Sequence, residues 1–213
     1  MQQQGTTDGQ VDRLGRALCA IGADFHRRGW SLATSSNYSV VLGREPLRLL
    51  ITASGKDKGR LTPRDFLQID EGGRAVASTP LRPSAETALH VMLARRAGVG
   101  AVLHTHSVWA TLLSDEYAAA SGFAIEGYEM LKGLAGVATH EQRVWVPVFA
   151  NTQDIPALAQ GVQRYLDAPD QPPIHGFLIG RHGLYAWGRD LDEARRHVEA
   201  FEFLFEVVGR KLH

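Results

Sequence analysis

The stretch Gly100-Ala101-Val102-Leu103-His104-Thr105-His106 reads as a short buried strand that ends in two imidazoles. Alternate residues of a strand project to one face, so His104 and His106 can reach a single ion from the same side. Taken alone, the pattern also fits two polar residues closing a strand. A metal site needs at least one further protein ligand. The best candidate is His182 in Arg181-His182-Gly183-Leu184-Tyr185, where the glycine would let the backbone turn tightly; His175, also followed by glycine, and the weaker His140 compete with it.

Working outward, strands and helices alternate around this segment. Tyr38 to Leu42 and Leu47 to Thr52 predict a hairpin around Gly43-Arg44-Glu45-Pro46. A second hairpin is expected from Phe66 to Ile69 and Ala75 to Ala77, joined by Asp70-Glu71-Gly72-Gly73. Further strands are expected at Val144 to Phe149 and Gly176 to Gly180. Leu14, Leu18, Ile21 and Phe25 recur at helical spacing before Gly29, and Ser84 can cap a helix reaching Ala97 and closed by Gly98. Asp190 caps a long amphipathic helix from about Leu191 to Lys211. Hairpins mixed with helices predict an α/β layered domain with a largely antiparallel sheet rather than a regular βαβ repeat. Residues 1–10 are expected as a polar tail and residues 11–213 as one domain.

Composition narrows the function. Among 213 residues, 23 Lys and Arg balance 23 Asp and Glu, which argues against a nucleic-acid binder that relies on a general basic field. The single Cys19 cannot form an intrachain disulfide, MQQQGTTDGQ has neither a basic nor an apolar leader region, and no apolar run approaches the ~20 residues of a membrane span. A cytoplasmic enzyme of small-molecule chemistry is expected, with neither nucleic acid nor membrane as partner.

Three segments can form an anion cradle: Ser35-Ser36-Asn37, Thr52-Ala53-Ser54-Gly55-Lys56 and Pro83-Ser84. They offer hydroxyls, backbone N–H groups, a lysine and a helix start, although each alone is an ordinary turn or cap. Two carboxylates stand out, Glu86 just after Ser84 and Glu129 in Glu126-Gly127-Tyr128-Glu129-Met130-Leu131-Lys132-Gly133. His26, His90 and His197 fall in helical patterns and receive no functional role.

Together these segments resemble the class II aldolase/adducin superfamily, over about Leu14 to Val208. The resemblance implies a three-layer α/β/α domain with a central, mainly antiparallel sheet, one divalent metal per subunit, Zn²⁺ foremost, and a homotetramer with sites near subunit boundaries. By motif, His104, His106 and His182 become the metal ligands. Ser36, Asn37, Ser54, Gly55, Lys56 and Ser84 become the substrate and phosphate contacts; Ala85 replaces a serine of the family's Pro-Ser-Ser-Glu pattern, which removes one such contact. Glu129 takes an acid/base position and Glu86 the position of the aldolase-type carboxylate. The segments around Ser54, His104, Glu129 and His182 imply removal of water from a phosphorylated methylthio-sugar in methionine salvage. A sugar-phosphate aldolase or epimerase, and a metal-free adducin-like structural module, are the alternatives.

Overall fold

The computed structural model describes residues 8–169 and 171–212. Its helices are α1 (Asp8–Arg27), α2 (Thr87–Ala94), α3 (Val108–Glu116), α4 (Ile155–Leu166) and α5 (Leu191–Leu212). Its strands are β1 (Asn37–Arg44), β2 (Leu47–Thr52), β3 (Phe66–Asp70), β4 (Ala101–Thr105), β5 (Gly122–Ile125), β6 (Val144–Phe149), β7 (Gly176–Ile179) and β8 (Gly183–Gly188). They form one sheet in the order β3-β2-β1-β4-β8-β7-β6-β5, antiparallel throughout except for β6 beside β7.

Two helical layers cover the sheet, as expected. On one face α1, α3 and α5 bury Leu18, Phe25, Leu113, Val198, Phe201 and Phe205 against Val40, Leu103 and Ala186. On the other face α2 and α4 bury Leu89, Leu93, Leu158 and Val162 against Val102, Phe177 and Trp187. Because β8 is covered on both sides, all its residues are buried, and its sequence lacks the polar alternation that marks a half-exposed strand. Among the described residues no helix is long and apolar enough to cross a membrane.

Several local expectations change. Asp8–Gln10, expected in the polar tail, form the first turn of α1, where Asp8 complements the helix dipole; residues 1–7 lie outside the described residues. The second hairpin keeps its turn but not its return strand. The Asp70 carboxylate accepts from the Gly72 and Arg74 amides, and after the isolated Ile69–Ala75 bridge the chain leaves the sheet. Helix α2 is shorter than expected because Ser84 is spent on a turn before it. The Ser84 hydroxyl accepts from the Glu86 amide, while its carbonyl takes the Thr87 hydroxyl at 2.6 Å.

Strand β4 sits in mid-sheet between β1 and β8, and its alternation decides which layer each side chain meets. Leu103 packs into the α1/α3/α5 layer and Val102 into the α2/α4 layer. His104 therefore faces the α2 side, where Glu86 approaches its ring, and Thr105 faces α5, donating to Glu202.

Candidate metal centre and cleft

At the carboxyl end of β4, the rings of His104, His106 and His182 meet, and one ligand atom from each lies within 4.8 Å of the others. His104 is fully buried, and its Nδ1 lies 2.8 Å from the Leu184 carbonyl of β8. A carbonyl only accepts, so Nδ1 carries the hydrogen and Nε2 turns a lone pair toward His106 Nε2, 2.7 Å away. Burial, reinforced by the neighbouring imidazoles, drives His104 well below the ordinary histidine pKa and His106 down to about 3. Both rings are thus neutral at pH 7.

Ser107, next to His106, accepts from the Ala110 amide and starts α3, so the chain turns away directly after the second imidazole. His182 arrives from the β7–β8 connection, where Arg181 takes the left-handed backbone conformation at φ 53°. The turn expected at Gly183 lies two residues earlier, at Arg181. Gly183 is already in β8, and a Cβ there would stand 2.0 Å from the Thr105 carbonyl oxygen. Its absent side chain lets β4 and β8 close up and brings His182 to the other two rings.

These residues fit a divalent metal. The donor set is all imidazole, His104 Nε2 turns a lone pair into the cluster, and His182 Nδ1 is buried without a hydrogen-bond partner among the described residues. Neither of the competing histidines joins them. His175 packs against His197 with ring centroids 4.5 Å apart, and His140 pairs with Glu129 at 3.2 Å.

A cleft of about 380 Å³ opens beside the cluster. Ser36, Asn37, Ser54, Gly55 and Ser84 line one end, and Glu86, His106 and His182 the other. Asn151, Thr152 and Gln153, with Ile155 and Pro156 of α4, form a wall that no sequence motif announces. Glu86 is the acidic group of the cleft. Its Oε1 lies 3.2 Å from His182 Nε2 and its Oε2 3.4 Å from His104 Nε2, while Asn37 Nδ2 and the Tyr185 hydroxyl donate to Oε2 at 2.6 and 3.0 Å.

Two residues singled out in the sequence lie elsewhere. Lys56 turns to Asp65 at 2.8 Å and does not line the cleft. The buried cation at this end is Lys58, whose ammonium donates to the carbonyls of Thr34 and Lys56 and so ties together the two serine-bearing loops. Burial lowers its pKa to about 8, with Asp57 opposing the shift. Glu129, with its side chain 69% exposed, pairs with Lys132 and His140. It belongs to a 3-10 turn, Glu129–Gly133, packed on α5, in the layer opposite to the one that holds the cleft. Tyr185, one of the aromatic residues that the sequence offers as a pocket lining, lies on β8, a strand that the sequence pattern does not predict; the register puts it opposite His104, and the two rings stack at 4.1 Å.

This combination of sheet, helical layers and histidine cluster defines a class. The chain belongs to the family of the Class II Aldolase and Adducin N-terminal domain, whose model it matches over residues 16–208. Two L-fuculose 1-phosphate aldolases share its fold. One superposes with a TM-score of 0.75 at 21% identity, over 94% of this chain and 87% of that one. The other, from Thermus thermophilus, gives 0.71 at 26% identity, over 93% and 94%. Within the family the similarity sharpens. The chain is 53% identical to the methylthioribulose-1-phosphate dehydratase of Stenotrophomonas maltophilia (strain K279a), over 96% of this chain and 94% of the relative. It is 44% identical to the enzyme of that name from Sorangium cellulosum (strain So ce56), over 98% and 97%.

Proposed function

We propose that this chain is a hydro-lyase that removes water from 5-methylthioribulose 1-phosphate, giving 2,3-diketo-5-methylthiopentyl 1-phosphate in methionine salvage. What carries the reading is identity of about half to dehydratases of that name along almost the whole chain, in a molecule whose three imidazoles and Glu86 share one cleft. Residues 11–213 act as one catalytic domain, in the cytoplasm.

His104, His106 and His182 hold one divalent ion, Zn²⁺ by the chemistry of a three-histidine set that leaves a coordination position open. When bound, such an ion supplies Lewis-acid polarisation of the sugar's carbonyl oxygen. The protein's own residues move the protons. A base takes the C3 proton, an acid protonates the C4 hydroxyl as it departs, and the enol left behind ketonises to the diketone. Glu86, whose Oε2 accepts from Asn37 and Tyr185, is our choice for the base of the first transfer.

Glu129 is our choice for the acid, by its place in the family's motif. Since it lies outside its own chain's cleft, it serves the cleft of a neighbouring copy in a homotetramer. The hydroxyls of Ser36, Ser54 and Ser84 and the backbone at Gly55 receive the phosphate, with Lys58 holding their loops in register. Asn37 shapes that end of the cleft, its amide being committed to protein partners.

The test is mass spectrometry of products after incubating metal-loaded protein with 5-methylthioribulose 1-phosphate, beside a chelated control. Metal-dependent loss of one water is the expected result. Cleavage into two carbon fragments would move the chain to the aldolases, and no turnover with the metal site full would reject the substrate.

A further inference from the structure

From Asn37 in the cleft wall beside Glu86, a line of buried polar groups runs into the interface between α2 and the sheet. Ser39 Oγ lies 2.8 Å from His90 Nδ1, and His90 Nε2 contacts Asn37 Oδ1 closely. Asn37 Nδ2 then donates to Glu86 Oε2 at 2.6 Å and to Ser84 Oγ at 3.2 Å. Ser39, Asn37 and His90 are all buried, His90 completely, and His90 does not line the cleft. Glu86 caps α2 and His90 follows four residues later, so one helix face carries both.

The direction of every hydrogen bond in this line follows from its last member. An ionised carboxylate only accepts, so Asn37 must turn its NH₂ to Glu86 and its carbonyl oxygen to His90. That oxygen also only accepts, so His90 Nε2 must carry the hydrogen. A neutral imidazole with Nε2–H has an acceptor at Nδ1, so the Ser39 hydroxyl donates. Burial holds the His90 pKa down at about 4, so the ring is neutral at pH 7 and has one hydrogen to place. The opposite tautomer would reverse the line and set the Asn37 oxygen against the carboxylate of Glu86. Burial leaves no water to mediate such a mismatch.

We propose that His90 is a positioning residue for Glu86. Its Nε2–H fixes which way round the Asn37 amide sits, and Asn37 together with Tyr185 then holds Oε2, leaving Oε1 directed at His182. The inference rests on the reading of Glu86 as a working carboxylate of this site, and it gives a task to a histidine that the helical pattern alone marks as packing.

Three substitutions separate this role from simple packing. Glutamine at residue 90 places an amide N–H near the position of Nε2, whereas asparagine reaches only the position of Nδ1, and phenylalanine fills the space without either. His90→Phe should lower kcat by about 10- to 100-fold, the usual effect of losing a partner behind a working group. KM and the metal content measured by elemental analysis should stay near normal. His90→Gln should recover most of the turnover and His90→Asn should not. Equal turnover in the Gln and Asn variants, or full turnover in the Phe variant, would overturn the proposal.

Nitrogen-15 NMR of the unsubstituted protein gives a readout independent of activity and of any variant's folding. His90 should be the Nε2–H tautomer, and an Nδ1–H signal would overturn the proposal. Glu86→Gln serves as the control. If it keeps full turnover, the reading of Glu86 fails and the proposed role of His90 with it; if it loses turnover while His90→Phe keeps it, only the inference about His90 falls.

Discussion

The Thr105 hydroxyl donates to Glu202 Oε1 at 2.8 Å, across the strand from the imidazoles that flank it in sequence. Glu202, on α5, is 2% exposed, and its second oxygen has no hydrogen-bond partner among the described residues. Burial raises its pKa to about 7, against the lowering effect of the hydroxyls of Ser107 and Thr105. A carboxyl whose native pKa exceeds its unfolded one holds its proton longer in the native state. It therefore costs stability progressively as pH rises from the unfolded value of 4.5 toward 7, and by a constant amount above that.

Glu202→Gln mimics the protonated acid and should escape this cost. Relative to the parent, the variant should gain stability between pH 5 and pH 8, by on the order of 3 kcal/mol at most. Urea unfolding of both proteins at the two pH values measures it. A stability difference that does not change with pH would show that the buried carboxyl does not titrate in this window.

His106→Ala should bind less metal and lose turnover together, since a ligand is removed. Chelation of the parent protein should abolish turnover in the same way. Undiminished metal content in the variant, measured after dialysis against a buffered ion, would contradict the ligand assignment.

Glu129→Gln should keep its metal and lose about 10²- to 10⁴-fold in turnover. If Glu129 works in a neighbouring copy's cleft, mixing this variant with His106→Ala under reassembly conditions should restore activity in about a quarter of the sites of a randomly mixed ring. Two inactive parents that stay inactive after proven subunit exchange would mean that each site takes both groups from the same chain.

Gly183→Ala forces a methyl group against the Thr105 carbonyl. Overpacking of this kind costs about 1–3 kcal/mol, and the strand separation that relieves it should also weaken metal binding. Chemical denaturation and a metal titration report the two effects. Unchanged values would mean that the β4–β8 pair widens freely.

Lys58→Met removes the ammonium that joins the carbonyls of Thr34 and Lys56. KM for the phosphorylated substrate should rise roughly tenfold, the order expected for losing a charged hydrogen bond, while kcat changes little. A fall in kcat at constant KM would refute a role confined to the substrate-binding loops.

Much of this architecture is legible in the sequence because period and punctuation agree with the fold. The apolar spacing of Leu18, Ile21 and Phe25 matches the buried face of α1, and Gly29 takes the expected left-handed conformation at φ 77°. The His-Thr-His pattern works because strand alternation is a local rule. What escaped depends on distant neighbours. Nothing in Lys56-Asp57-Lys58 says which lysine turns inward; that is decided by Asp65 on one side and the Thr34 carbonyl on the other. His90 reads as a packing residue until Ser39 and Asn37, some fifty positions away, are brought against its two nitrogens. Glu129 carries a motif but no local sign of which layer of the fold will hold it.

The seam between β4 and β8 also bears on how the molecule comes into being. His104 and Leu184, joined across it, stand 80 positions apart, and the entropy of closing so long a loop is met before the contacts that reward it can form. A chain still being synthesised has all of β1 to β7 before it has a complete β8, and during that interval His104 and His106 have no third ring held beside them. The cluster is thus assembled only with the last strand, so the proposed metal site is complete only once most of the polypeptide has been made.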